Sequence, residues 1–118
     1  MATADELASA VATALDHDEY IGLEEAVTGR EIELGVLGNE APRVSLPGEI
    51  VTGAEFYDYE DKYLGGRTQY HIPAPLDEDV AAQIRAMAVV AFKAIDGAGL
   101  ARVDFLLDKD DGTIYLNE

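Results

Sequence analysis

The chain has 118 residues, 24 of them acidic and 8 basic, giving a net charge of −16, and it contains no cysteine. Eight scattered cations cannot form the electrostatic footprint of a nucleic-acid binder, the acidity opposes anionic membrane surfaces, and the missing thiols exclude disulfides and thiolate metal sites. A hydrophobic share of 48% supports one modest core, no apolar run approaches the ~20 residues of a membrane span, and the N-terminus lacks a signal-peptide pattern, so a cytoplasmic single domain covering 1–118 is expected.

Thr3-x-x-Glu6 is a capping box, followed by Leu7, Val11 and Leu15 at helical spacing, which predicts a helix over 4–16. In REIELGVLGN (30–39), Ile32, Leu34 and Val36 alternate with Glu31, Glu33 and Gly35, the pattern of a half-buried strand. Short extended pieces at 43–46 and 49–51 flank the Pro47-Gly48 turn signal, and together these elements read as an antiparallel meander.

Residues 53–71 follow no period and hold Tyr57, Tyr59, Tyr63 and Tyr70 beside Gly65-Gly66 and Lys62. A loop of this length is uncommon in a compact domain and is often a lid or binding loop; aromatic anchors pinning a surface loop are the plainer reading. Asp77 can cap a second helix reaching about Asp96, with Val80, Ile84, Met87, Ala91 and Ile95 as its buried stripe and Gly97 and Gly99 as its stop. The expected fold is α/β in class and α+β in arrangement: an antiparallel sheet with two packed helices.

The last segment, ARVDFLLDKDDGTIYLNE (101–118), reads as a hairpin. Val103, Phe105 and Leu107 share one face of its first strand, and Arg102, Asp104 and Leu106 share the other. A three-residue loop Asp110-Asp111-Gly112, with Gly112 left-handed, would set Asp104 opposite Glu118; a two-residue loop would set it opposite Asn117. Two carboxylates so placed repel unless something positive lies between them. That partner is either Arg102, in a solvent-exposed hairpin edge, or a divalent cation; an oxygen-only set suits magnesium, which completes its shell with phosphate oxygens and water.

GREIELGVLGN, PGEIV, FYDYEDKY, IPAPL and ARVDFLLDKDDGTIYLNE, in this order and spacing, resemble the D-alanine–D-alanine ligases of the ATP-grasp superfamily, over nearly the whole chain. The resemblance implies ATP-dependent joining of two D-alanines for peptidoglycan synthesis, through an acyl phosphate on the first D-alanine. By the same resemblance Asp104 and Glu118 match ligands of Mg2+ (or Mn2+ in its place), and Arg102 matches the arginine that holds the transferred phosphate and the developing oxyanion. Glu24 would face the adenine amino group, Ala26 and Val27 would supply main-chain contacts, Glu31 would bond the ribose hydroxyls and Leu106 would pack on the adenine ring. Without the resemblance, Glu24 and Glu31 are exposed strand acids and Leu106 is core. FYDYEDKY matches a mobile loop over the active site, in which Lys62 approaches the ATP phosphates and Tyr63 closes over the substrate pocket.

The family pattern continues past YLNE with an asparagine two residues on and a proline–glycine substrate loop, and it includes an N-terminal domain, a serine-rich phosphate loop and two upstream lysines that this sequence lacks. The expectation is thus a fragment of the ATP-binding region, inactive alone, with a homo-oligomer formed through surfaces that the missing parts would cover. Two other readings stand beside it. One is an ATP-grasp carboxylate–amine ligase with another amino-acid substrate; the other is a non-catalytic, acidic, cation-binding or self-associating module.

Overall fold

The computed structural model describes residues 3–52 and 68–118. Helix α1 (Ala4–Leu15) starts at the expected capping box: Thr3 Oγ1 accepts from the Glu6 N–H at 3.2 Å, and Glu6 Oε2 accepts from the Thr3 N–H at 3.0 Å. No residue of α1 is buried, and its Leu7 and Leu15 are exposed. Both expected helices form, but only the second packs into the core. A cap and alanine-rich turns define α1 locally and carry no information about what its stripe meets.

The strands are β1 (Gly29–Gly38), β2 (Arg43–Val44), β3 (Gly48–Val51), β4 (Gln69–His71), β5 (Gly99–Asp108) and β6 (Ile114–Leu116); helix α2 (Glu78–Ala94) lies between β4 and β5. They form one antiparallel sheet in the order β4-β3-β1-β5-β6, with β2 also on β1. The meander expected from β1 onward is half of this arrangement, since the other neighbour of β1 is β5, from the far end of the chain. β2 and β3 are one strand interrupted by a bulge. Ser45 donates to the Gly35 carbonyl while Gly48 faces Glu33, so Leu46 and Pro47 together oppose Leu34. Pro47 has no N–H to offer a ladder, which is why the extra residue falls there. β4 lies inside the stretch expected to be irregular, and pairs Gln69–His71 with Glu49–Val51.

One face of the sheet is apolar. Ile32, Leu34 and Val36 of β1 and Val103, Phe105 and Leu107 of β5 pack with Ile84, Ala88 and Phe92 of α2. The helix stripe therefore runs through Ile84, Ala88 and Phe92, with Val80, Met87 and Ala91 beside it. Ile95, expected in that stripe, is 77% exposed, because the helix has already ended. Asp77 holds the N-cap position with extended backbone but makes no side-chain cap bond. At the other end the Gly97 N–H donates to the Phe92 carbonyl at 2.9 Å and the Asp96 N–H to Lys93 at 3.1 Å, with Asp96 at φ 53°. These are the two bonds of a Schellman cap. A Cβ on Gly97 would lie 2.7 Å from the Phe92 ring, so the glycine is required for contact rather than for φ.

A polar contact also fastens the sheet. Arg30 donates to Glu49 through Nε at 2.9 Å and Nη2 at 2.7 Å, and Nη2 also donates to the Pro75 carbonyl at 2.9 Å. This joins β1, β3 and the segment entering α2. The Arg30 guanidinium holds the Glu49 carboxyl below its usual range despite burial, which acts the other way. A carboxyl depressed on folding contributes stability that is complete above its unfolded value near pH ~4.3 and is lost as pH falls through the lower folded value. Glu49→Gln is expected to cost about 1–3 kcal/mol at neutral pH. Urea unfolding should show the difference from wild type narrowing below about pH 4; a constant gap would mean that the ion pair is not what Glu49 contributes.

Candidate functional site

The sheet face away from α2 carries the polar residues, and the β1–β5 ladder sets their positions. Glu33 is paired with Asp104, Glu31 with Leu106 and Gly35 with Arg102. Asp104 is 1% exposed, the most deeply buried charged residue among those described. A carboxylate there needs a hydrogen-bonded counter-charge. Arg102 supplies it as a fork, Nε to Oδ1 and Nη2 to Oδ2, each at 2.9 Å. Its third nitrogen, Nη1, lies 3.5 Å from Glu33 Oε2, in ion-pair range but too far for a strong hydrogen bond. Gly35, opposite Arg102, places no side chain beneath the guanidinium.

The hairpin register differs from the expectation. Phe105 faces Leu116, Leu106 faces Tyr115 and Leu107 faces Ile114, so the ladder points Asp104 at Asn117 rather than Glu118. The cause lies in the turn. Asp108 Oδ1 accepts from the N–H groups of Asp110 at 2.7 Å and Asp111 at 3.2 Å, and Asp111 Oδ1 accepts from the Thr113 N–H at 2.8 Å. These side chains close a four-residue loop over 109–112 in place of the three-residue loop 110–112. Gly112 is left-handed as expected, at φ 74°. A bulge then intervenes past Leu116: the Asp104 carbonyl accepts from both Asn117 (2.9 Å) and Glu118 (3.4 Å), and the Asp104 N–H donates to the Glu118 carbonyl at 2.7 Å. Both residues thus oppose Asp104, and Glu118 meets it through the main chain. The direct Asp104–Glu118 pairing along an unbroken ladder is replaced by this bulge.

The other expected residues fall into three groups. Glu31 and Leu106 are register partners, both half-buried on the open face and two positions along from Glu33 and Asp104. Glu24 and Ala26 are exposed and Val27 half-buried, in the segment leading into β1. Lys62 and Tyr63, with Tyr57 and Tyr59, lie outside the described residues. Two depressions flank the row. One, of about 730 Å3, is lined by Glu33, Gly35, Ser45, Leu46, Leu100 and Arg102; the other, of about 310 Å3, includes Glu31, Glu49, Thr52 and Lys109.

Glu33 is the residue that sequence reasoning missed. Its alternation with Ile32 and Leu34 placed it on the polar face, yet only the pairing of β1 with β5 reveals that it confronts Asp104. Among the described residues no three or more His, Cys, Asp or Glu side chains gather as a metal cluster. Magnesium does not demand one, since it takes one or two carboxylates and fills its shell with phosphate oxygens and water. The buried Asp104 carboxylate fits that donor set, and Glu118, an exposed acid, is tied to Asp104 by main-chain hydrogen bonds.

An antiparallel sheet backed on one face by a helix, with a row of acids and an arginine on the other, is the architecture of an ATP-grasp ligase subdomain. The structure superposes on the D-alanine-D-alanine ligase from Coxiella burnetii with a TM-score of 0.82 at 34% identity, covering 100% of this chain and 30% of that one. It matches the VanG D-Ala:D-Ser ligase from Enterococcus faecalis at TM-score 0.83 and 32% identity, over 98% of this chain and 34% of that one. In sequence it is 53% identical over 114 residues to a D-alanine--D-alanine ligase of Geobacillus thermodenitrificans, over 97% of this chain and 31% of the relative. A Thermoanaerobacter ligase of the same name is 48% identical over 115 residues, 97% of this chain and 32% of the relative. The chain thus spans about a third of the length of the curated relatives it matches. The family model for the D-ala D-ala ligase C-terminus covers residues 1–118, and the chain belongs to that family.

Replacing Arg102 by leucine removes both bonds to Asp104 and leaves a buried charge unpaired. Urea unfolding at pH 7 should show a loss of about 2–4 kcal/mol, with most of it regained in the Arg102→Leu/Asp104→Leu double variant. A loss below ~0.5 kcal/mol, typical of an exposed pair, would contradict the burial argument.

Proposed function

We propose that this chain is the Mg2+–ATP-holding part of a ligase that joins two D-alanines for peptidoglycan synthesis, through phosphorylation of the first D-alanine's carboxylate. The observation that carries the reading is the single row on the open face, in which Arg102, Asp104 and Leu106 of β5 stand beside Glu33 and Glu31 of β1. A nucleotide laid along this row would have its base at Leu106, its ribose at Glu31 and its phosphates at Asp104 and Arg102. Main-chain groups of Ala26 and Val27, with Glu24, would border the adenine from the segment before β1.

Each side chain then has a definite task. Asp104 and Glu118 would hold Mg2+, or Mn2+ in its place, which would supply charge neutralisation to the ATP phosphates. Arg102 offers a planar fork of donors suited to the transferred phosphoryl oxygens and to the oxyanion that grows at the acyl carbon. Lys62 and Tyr63 are assigned to the phosphates and to the substrate pocket by resemblance. The cytoplasmic location belongs to the same reading; among the described residues no helix is long and apolar enough to cross a membrane. So does self-association through α1, whose Leu7 and Leu15 are exposed. D-serine in place of the second D-alanine is the alternative acceptor, favoured by the likeness to a D-Ala:D-Ser ligase; substrate exchange in a full-length enzyme carrying this segment distinguishes the two.

Calorimetry with a non-hydrolysable ATP analogue and Mg2+ tests the site. Heat is expected with the wild-type chain and is lost in Asp104→Asn. No heat at millimolar concentrations, or equal heat from the variant, would refute the assignment.

A further inference from the structure

We propose that Glu33 is a positioning residue for Arg102, taking over its guanidinium when a divalent cation engages the Asp104 carboxylate. The inference rests on the cation reading of Asp104 given above. In the structure Arg102 donates to both Asp104 oxygens, at 2.9 Å each, so a cation that engages either oxygen meets the positive charge of the guanidinium and drives it away. The side chain of Asp104 is 2% exposed, which confines any approach to the open face where Arg102 sits.

Displacing Arg102 from Asp104 would strip a guanidinium of its two charge-assisted bonds. Glu33 is placed to replace them. It is the register partner of Asp104, its side chain is 20% exposed, and its Oε2 is already 3.5 Å from Nη1. A shift of under ~1 Å brings that contact to a full charge-assisted hydrogen bond. Glu33 and Arg102 also line the same groove of about 730 Å3, so the guanidinium has room to move along the sheet rather than out of it. Glu33 thereby lowers the cost of freeing Asp104 and keeps Arg102 aimed over the open face. An arginine without this second acid would stay on Asp104 and exclude the cation more strongly.

The test has a cation-free arm. Asp104→Ala removes both acceptors that hold Arg102 and imitates its release. The Arg102 Nη1 protons, the ones facing Glu33, are followed by NMR and are expected to stay protected from solvent exchange in D104A and to lose protection in D104A/E33A. Loss already in D104A, or protection that survives in D104A/E33A, would overturn the proposal. The second arm measures Mn2+ uptake by the 118-residue chain, by the resonance of the free ion. E33Q should raise the Mn2+ dissociation constant by about fivefold or more, and this effect should fall below about twofold in an Arg102→Gln background. An undiminished effect there would mean that Glu33 acts on the cation directly, which refutes positioning. Equal affinity in wild type and E33Q would overturn the role of Glu33 alone. No Mn2+ uptake by the wild-type chain would overturn the cation site itself.

Discussion

The antiparallel ladder between β1 and β5, running without a break from Gly29–Asp108 to Gly38–Gly99, fixes nearly everything else in the molecule. Side chains alternate across a strand, so one register decides both faces at once. It sends Ile32, Leu34, Val36, Val103, Phe105 and Leu107 toward α2 and leaves Glu31, Glu33, Arg102, Asp104 and Leu106 on the other side. A slip of one residue would turn acids into the core and leucines into solvent. The buried apolar set therefore locks the register, and the register in turn sets the spacing of the polar row. Stability and site geometry share a single determinant.

Two irregularities adjust that regular frame. The bulge at Leu46-Pro47 lets one continuous strand serve β1 from Glu31 to Leu37 while Ser45 Oγ takes the Gly35 N–H at 2.9 Å. The bulge at Asn117-Glu118 places two residues opposite Asp104, so a hairpin with an even loop still brings Glu118 to it. Bulges are common beside active sites because they re-aim a side chain without moving the sheet.

Much of this was legible in the sequence, for reasons that can be stated. The capping box of α1, the period-2 alternation of β1, the left-handed Gly112 and the two-faced pattern of β5 are all local, encoded within a few residues. The partner of β1 is not local. Nothing in REIELGVLGN specifies that ARVDFLLD joins it on the side opposite PGEIV, so alternation puts Glu33 on a polar face without giving its neighbour. The loop length failed for a finer reason: Asp108 and Asp111 use their side chains to capture backbone N–H groups, and counting loop residues does not register such bonds. The end of the α2 stripe at Phe92 was likewise decided by a left-handed Asp96, an uncommon residue for that conformation.

The clasp of Arg102 on Asp104 has a consequence for biosynthesis. Many ion-binding domains stay unfolded until their ligand arrives, because their acids repel until it neutralises them. Here the chain carries its own counter-ion two residues from the acid, on the same strand. Once β5 has been synthesised to pair with β1, the chain itself therefore neutralises Asp104, without nucleotide or metal.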